Sequence, residues 1–185
     1  QLVHGDQSLF AAYGAGCIHN PKVCFVFMNP TAKNISTRAD WNGLRAPWVG
    51  TKNIWKLLFT LGLVDQADFE QIQSMKPHDW TAEFVVSLYQ SLANKKIYIT
   101  NLGKCAQLDA RALPDKVLQA YLEHTYAEIV ALQPQHIVTF GNQVSSIFLQ
   151  KKVSVSQYLA SQSEQMQFND RIFDVYPTHY PVGLG

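Results

Sequence analysis

The sequence has few of the features that mark membrane proteins or nucleotide-binding proteins. None of its apolar runs is long enough to cross a bilayer, and its first residues lack the charged-then-apolar layout of a signal peptide. It contains neither a G-x-G-x-x-G segment nor a Walker-type phosphate loop, so the usual kinds of phosphate binding have no support. We therefore expect a cytoplasmic protein that does not act on membranes.

Cysteine is rare, and the net charge is small. The three cysteines, Cys17, Cys24 and Cys105, show no C-x-x-C spacing, so neither a disulfide framework nor a four-cysteine metal site is expected. A formal net charge of +1 is too small to identify a nucleic-acid-binding protein by itself. Any contact with DNA would have to come from local clusters of lysine and arginine.

The sequence is instead rich in apolar residues, which make up 47% of its 185 residues, against 16% charged residues. This balance excludes a disordered chain and predicts one domain over residues 1–185. We find no internal repeat, low-complexity tract or linker. The last motif ends close to Gly185, and the sequence leaves open whether either end is truncated and a terminal helix follows.

Strands and helices are predicted to alternate along the chain. Apolar runs rich in β-branched and aromatic residues predict strands at 23–28, 96–100, 137–140 and 171–176. Apolar residues at helical spacing predict one helix capped by Thr51, one over 81–93, a long one from Pro114 and a short one through Ile147 and Phe148. This alternation favours a three-layer α/β/α fold around a central, mostly parallel four-stranded sheet.

Each predicted strand is followed by a short polar segment. The four segments are FMNPT at 27–31, ITNLGKC at 99–105, VTFGN at 138–142 and VYPTHYPVG at 175–183. Ligands of open α/β sheets bind outside the carboxyl ends of the strands. We therefore expect the functional residues in these four loops.

Five segments, in the correct order, resemble the uracil-DNA glycosylase superfamily. FMNPT resembles the first motif of the mismatch-specific and single-strand-selective branches, which carry an Asn-Pro pair. GLRAPWVGTKNIWKLLFTLGL at 43–63 and IYITNLGKC at 97–105 resemble segments of the family-4 enzymes. HIVTFGNQVSSIFL at 136–149 is similar to their strand, glycine and small-residue helix, and PTHYPVG at 177–183 occupies the place of the final His-Pro-Ser motif.

The resemblance implies a DNA repair glycosylase with the fold of that superfamily. Its substrate would be uracil, or a related deaminated base, flipped out of DNA. No obligatory protein partner is evident, and in a bacterium the protein would be associated with the nucleoid. Two other classes stay open: a catalytically weak or inactive relative that binds lesions, and a nucleotide-binding α/β domain with no role on DNA.

The resemblance also assigns roles to residues of the first two loops and of the RAPWVG segment. Asn29 would orient the attacking water, with Met28 and Pro30 beside it in contact with the substrate. Asn101 would read the base, because its amide can accept from uracil N3–H and donate to a carbonyl. Trp48 would stack on the flipped base. The simpler interpretations are that Asn29 and Asn101 only end strands and that Trp48 belongs to the core.

The final motif leaves two registers open for the group that donates to the uracil O2. Aligned on Pro181, the expected histidine becomes Tyr180, whereas His179 lies one residue earlier. Either side chain could stabilise the negative charge that develops on the departing base. The simpler interpretation of His179 is an ordinary loop residue with a local hydrogen bond.

Basic residues in or beside the same loops could neutralise DNA phosphates, although a solvated surface is the default for any charge. They are Lys33, Arg38, Arg45, Lys52, Lys104 and Arg111. Pro181, Val182 and Leu184 could fill the gap that the flipped base leaves in the duplex. Family-4 enzymes hold an iron-sulfur cluster with four cysteines, and only Cys105 matches one of these. We therefore expect no cluster, no other metal and no organic cofactor.

Overall fold

The computed structural model describes residues 5–168 and 170–181 of the chain. Within them, six strands join in one mixed sheet. They are β1 (Ala15–Gly16), β2 (Val23–Phe27), β3 (Ile97–Asn101), β4 (His136–Phe140), β5 (Glu164–Phe168) and β6 (Arg171–Thr178). The order across the sheet is β1-β3-β2-β4-β6-β5.

The four strands predicted from the sequence form the parallel centre of this sheet. β3, β2, β4 and β6 are neighbours and pair in parallel. The predicted count of four is too low, because β1 and β5 add antiparallel edges. Neither edge has the apolar run that marks a buried strand: β1 is two residues long, and β5 alternates half-buried and exposed residues until Phe168.

Helices cover both faces of the sheet. They are α1 (Asn53–Thr60), α2 (Gln66–Ser74), α3 (Ala82–Asn94), α4 (Asp115–Gln119), α5 (Leu122–Leu132) and α6 (Asn142–Phe148). The Thr81 side chain accepts from the Phe84 N–H at 3.2 Å and so caps α3, close to the predicted start. No helix of the described residues is both long and apolar enough to span a membrane.

Two predictions about helix ends are wrong. Thr51 does not cap α1, because its hydroxyl donates to the Trp48 carbonyl at 2.7 Å and the cap position falls on Lys52. The single long helix predicted from Pro114 is two helices, since the Tyr121 N–H turns back to the carbonyl three residues before it. The sequence also gave no sign of α2, which buries only Ile72.

The core forms two clusters, one on each face of the sheet, because side chains alternate along a strand. What we call the aromatic face packs against α1, α2 and α3, and its strand residues include Phe25, Phe27, Ile97, Ile99 and Phe140. The opposite face packs against α4, α5 and α6, and its strand residues include Cys24, Val26, Tyr98, Ile137 and Val175. Burial on both faces explains why the central strands are continuous apolar runs.

Candidate functional site

The first two loops are joined to each other beyond the ends of β2 and β3. The Leu102 N–H donates to the Phe27 carbonyl and the Gly103 N–H donates to the Met28 carbonyl, both at 2.8 Å. A Cβ on Gly103 would lie 3.3 Å from the Cβ of Asn29. The pairing of the strands therefore continues into the loops and holds Asn29 beside the chain that follows Asn101.

Asn29 is half-buried and has one of its two amide groups engaged. Its Nδ2 donates to the carbonyl of Pro30 at 2.9 Å. This bond turns the amide so that Oδ1 remains as the acceptor. An amide oxygen is a weak base, so it suits the positioning of a water molecule better than the removal of a proton.

Asn101 ends β3 with a buried side chain that is 2% exposed. Along the strand Tyr98 and Thr100 contact Glu128 of α5 on the opposite face, so alternation directs Asn101 toward the aromatic face. No hydrogen bond joins its amide to another described residue. The amide can therefore give both its donors and its acceptor to a ligand.

Aromatic rings form the wall next to Asn101. Phe27 is fully buried and stacks on Phe140, with ring centroids 4.3 Å apart and planes 9° apart. Trp48 meets Phe27 edge-on at 5.0 Å, and Tyr180 does so at 6.2 Å. Sequence reasoning missed Phe27 and Phe140 as site residues. The available signal was their place at or next to the end of an apolar strand run.

Trp48 belongs to this wall through both its backbone and its ring. Its φ of +67° is left-handed, and its carbonyl accepts from the Thr51 hydroxyl and from Nε1 of Trp55 at 3.1 Å. Its own Nε1 is buried without a partner among the described residues. The ring is half-buried: one side packs against Phe27, as in a core residue, and part of the ring stays exposed, as stacking on a base would require. Trp55 is fully buried on α1.

The last loop brings Tyr180, and not His179, to the other site residues. His179 is exposed, whereas Tyr180 is half-buried on Phe27. A Cβ on Gly141 would lie 3.7 Å from the Cβ of Tyr180, so the third loop forms a surface beneath the tyrosine. Burial raises the pKa of the Tyr180 hydroxyl to about 12. It is therefore a protonated donor at neutral pH.

The sequence profile of the Uracil DNA glycosylase superfamily matches residues 13–185, a range that includes all four loops. The chain belongs to this superfamily. A comparison with curated proteins gave no match. Membership confirms the predicted fold class, apart from the two added strands, and supports a DNA glycosylase-like function with DNA as the partner.

Three of the cations predicted to bind phosphate are engaged with other groups of the chain. The Lys104 ammonium is paired with Glu128 at 2.6 Å, and the side chain is 13% exposed, so the prediction that it faces DNA does not fit its surroundings. Lys52 donates to the Gln73 carbonyl. Arg45 donates to the carbonyls of three residues of its own loop and stacks 4.1 Å over the ring of Phe10.

Exposed groups around the loops are fewer than the sequence suggested. Lys33 is exposed and forms no ion pair with another described residue. Arg111 is exposed but paired with Asp109 at 2.9 Å. Pro181 is exposed beside Tyr180, whereas Val182 and Leu184 lie outside the described residues.

The cysteines do not fit the four-cysteine cluster of the family-4 branch. Cys24 is fully buried within β2, and burial raises the pKa of its thiol. Cys105 is hydrogen-bonded to Tyr121 and lines a cavity of about 1000 Å³ that does not include Asn29, Asn101 or Tyr180. Among the described residues no three His, Cys, Asp or Glu side chains are grouped so that they could hold a metal.

Proposed function

We propose that this chain hydrolyses the N-glycosidic bond of uracil, or of a related deaminated base, flipped out of DNA. The observation that carries the proposal is the Asn101 amide. It is buried at the carboxyl end of the sheet, it has no partner among the described residues, and aromatic rings lie next to it. A planar heterocycle with adjacent acceptor and donor groups is the ligand that such a wall and amide complement.

Base recognition would rest on the two ends of the Asn101 amide. Its oxygen would accept from the N3–H of uracil, and its NH₂ group would donate to the adjacent carbonyl. Cytosine lacks the N3–H and presents an amino group where uracil has a carbonyl, so it would leave two polar groups unpaired. Unpaired buried groups are costly, and this cost would supply the discrimination.

Bond cleavage would use Asn29 on the sugar side. Water held by its Oδ1 would add to C1′ as the bond from C1′ to N1 of the base breaks, through a transition state with oxocarbenium character. The electron pair of the broken bond goes to the departing base, and the water loses a proton to solvent. Met28 and Pro30 would line the same side of the substrate, since they flank Asn29 in the joined loops.

Tyr180 would stabilise the negative charge on the departing base. Its hydroxyl has a raised pKa because of burial, so it donates a hydrogen bond without losing its proton at neutral pH. A preorganised donor of this kind contributes on the order of 3 kcal/mol to transition-state stabilisation. We assign this role to Tyr180 and not to His179, whose side chain is exposed.

DNA contacts would come from the rim of the site. Lys33 supplies an exposed cation, and Pro181 and Val182 follow Tyr180 at the point where a wedge would enter the duplex. Arg45 and Lys52 would act indirectly, by holding the loop that carries Trp48. We propose that the reaction needs no metal, cluster or organic cofactor.

The decisive experiment measures free base released from oligonucleotides that contain uracil, hypoxanthine, xanthine or a thymine mismatch, in single and double strands. We expect uracil release that Asn101→Asp lowers by about a hundredfold, because a carboxylate cannot donate to the base. Asn29→Ala should lower the rate with unchanged DNA affinity, and His179→Ala should leave the rate almost unchanged.

Two outcomes would contradict the proposal. Salt-dependent DNA binding without release of any base would favour the inactive lesion-binding relative. Full uracil release by a folded Asn101→Asp variant would remove the residue on which the proposal rests.

A further inference from the structure

Lys104 lies at the centre of a buried polar cluster directly behind Asn101. Its ammonium donates to the Asn101 carbonyl at 2.6 Å and to the Thr100 hydroxyl at 2.7 Å. It also donates to Oε2 of Glu128 at 2.6 Å. The Lys104 and Glu128 side chains are only 13% and 19% exposed. Three acceptors therefore satisfy all three N–H groups of the ammonium.

Glu128 is itself held from a second side. Its Oε1 accepts from the Tyr98 hydroxyl at 2.7 Å and lies 3.1 Å from the Thr100 hydroxyl. The N-terminal segment closes over this carboxylate, since a Cβ on Gly14 would lie 2.5 Å from the same oxygen. Hydrogen bonds from Tyr98, Thr100 and Lys104 restrict this carboxylate, so α5 and β3 together fix the position of Lys104.

The contact with Lys104 helps to fix the orientation of one peptide group. The peptide between Asn101 and Leu102 gives its N–H to the Phe27 carbonyl of β2 and its C=O to the Lys104 ammonium. Both of its polar groups are thus fixed from opposite sides. Because this peptide determines ψ of Asn101, the two bonds set the direction in which the amide side chain leaves the backbone.

We infer that Lys104 and Glu128 are positioning residues that hold the Asn101 amide in register with the base. The inference rests on the proposed function, because it assigns base recognition to Asn101. It gives Lys104 a task on the opposite face of the sheet in place of a phosphate contact.

The test compares two lysine–carboxylate pairs with the same 2.6 Å distance. Lys104→Met with Glu128→Gln removes both charges of the buried pair and conserves volume. Lys95→Met with Asp65→Asn does the same to the pair that joins the end of α3 to the start of α2, whose side chains are 29% and 64% exposed. We measure single-turnover base release, the ratio of uracil to cytosine release, and the thermal midpoint.

We expect the buried-pair variant to lose about tenfold or more in single-turnover rate, together with a fall in the uracil-to-cytosine ratio. The control variant should keep both values. A purely structural role would lower only the thermal midpoint and leave rate and ratio intact well below it, and that result would overturn the inference. If the double variant does not fold, Lys104→Arg and Glu128→Gln singly are judged by the same criteria.

A second readout separates this inference from the proposed function. The side-chain amide signals of Asn101 in an NMR spectrum are identified by their loss in Asn101→Asp. They should shift and broaden in the buried-pair variant and stay in place in the control. Unmoved signals contradict the inference whatever the activity. A wild-type protein that releases no base contradicts the proposed function, even if the signals move as expected.

Discussion

The two faces of the sheet differ at the carboxyl ends of the same strands. On the aromatic face, Asn101 presents an amide without a described partner beside the stacked rings of Phe27 and Phe140. On the opposite face the polar groups are paired with one another. Thr100 contacts Glu128, and the hydroxyls of Thr139 and Ser145 share a buried hydrogen bond of 2.8 Å.

The aromatic face would therefore recognise the ligand and the opposite face would support the fold, although the two faces are reached by adjacent residues. Thr100 and Asn101 are neighbours, and alternation alone sends one to each face. The satisfied face gains stability from its hydrogen bonds, whereas the open face keeps its polar groups for a ligand. The comparison predicts that matched substitutions on the two faces have unequal effects on catalysis, whatever they cost in stability.

The largest effect is expected from truncating a buried ring on each face. Phe27 and Phe148 are both fully buried, on the aromatic and the opposite face respectively. Phe27→Ala and Phe148→Ala should each lower the free energy of unfolding by about 3–5 kcal/mol, through lost contacts and a cavity. Urea denaturation measures this loss.

Only Phe27→Ala should also lower the rate of base release per folded molecule, because Trp48 and Tyr180 rest on that ring. The milder Phe27→Leu and Phe148→Leu variants keep the comparison usable if the alanine variants are mostly unfolded. Equal rate losses from both faces would break the proposed separation of recognition from support.

A pair of tyrosines gives the next effect in size. The Tyr126 hydroxyl donates to the Phe148 carbonyl at 2.6 Å on the opposite face. Tyr126→Phe should cost about 1 kcal/mol of stability and leave the rate unchanged. Tyr180→Phe should cost little stability but slow base release by about a hundredfold, since it removes the donor to the departing base. Single-turnover assays and denaturation of both variants check whether one variant loses mainly stability and the other mainly rate.

The sequence predicted the parallel centre of the sheet well, because strands buried on both faces are continuous apolar runs. It failed where such a signal is missing, as in the short β1, the alternating β5 and the polar α2. The sequence also located the loops at the ends of β2 and β3, because polar residues interrupt the apolar runs there.

The partners of Lys104 could not be predicted from the sequence, because its ion pair with Glu128 joins positions 24 residues apart. A lysine in a polar loop looks like a surface charge until α5 brings Glu128 to it. The choice between His179 and Tyr180 could not be predicted for the same reason, since it also depends on tertiary packing. One step of register decides which side chain meets Phe27, and the packing of β6 on β4 sets that register.

A smaller effect is expected from glycines with left-handed backbone. Gly141 (φ +86°) lies beneath Tyr180, and Gly62 (φ +71°) has open space around it. Alanine at either position should cost about 1–2 kcal/mol, because a Cβ disfavours this conformation. Gly141→Ala should also reduce the rate of base release, because relief of the backbone strain would shift the loop on which Tyr180 lies, whereas Gly62→Ala should not. A Gly141→Ala variant with the wild-type rate would show that Tyr180 tolerates the shift.

The smallest effect is a pH dependence of stability above pH 10. An unfolded tyrosine ionises near pH 10, whereas burial raises the pKa of Tyr180 to about 12. Between these values the unfolded chain loses a proton that the folded chain keeps, so the stability due to Tyr180 is complete below pH 10 and is lost toward pH 12. Tyr180→Phe should remove this part of the loss, so urea denaturation at pH 9, 10 and 11 should show the variant gaining stability relative to wild type as the pH rises. Burial also raises the pKa of Tyr126, so Tyr126→Phe should change the alkaline loss in the same direction.

The contradicting outcome is a difference in free energy of unfolding between Tyr180→Phe and wild type that stays constant with pH. It would mean that the Tyr180 hydroxyl is open to water on the aromatic face, and it could not then act as a donor in a water-excluded site.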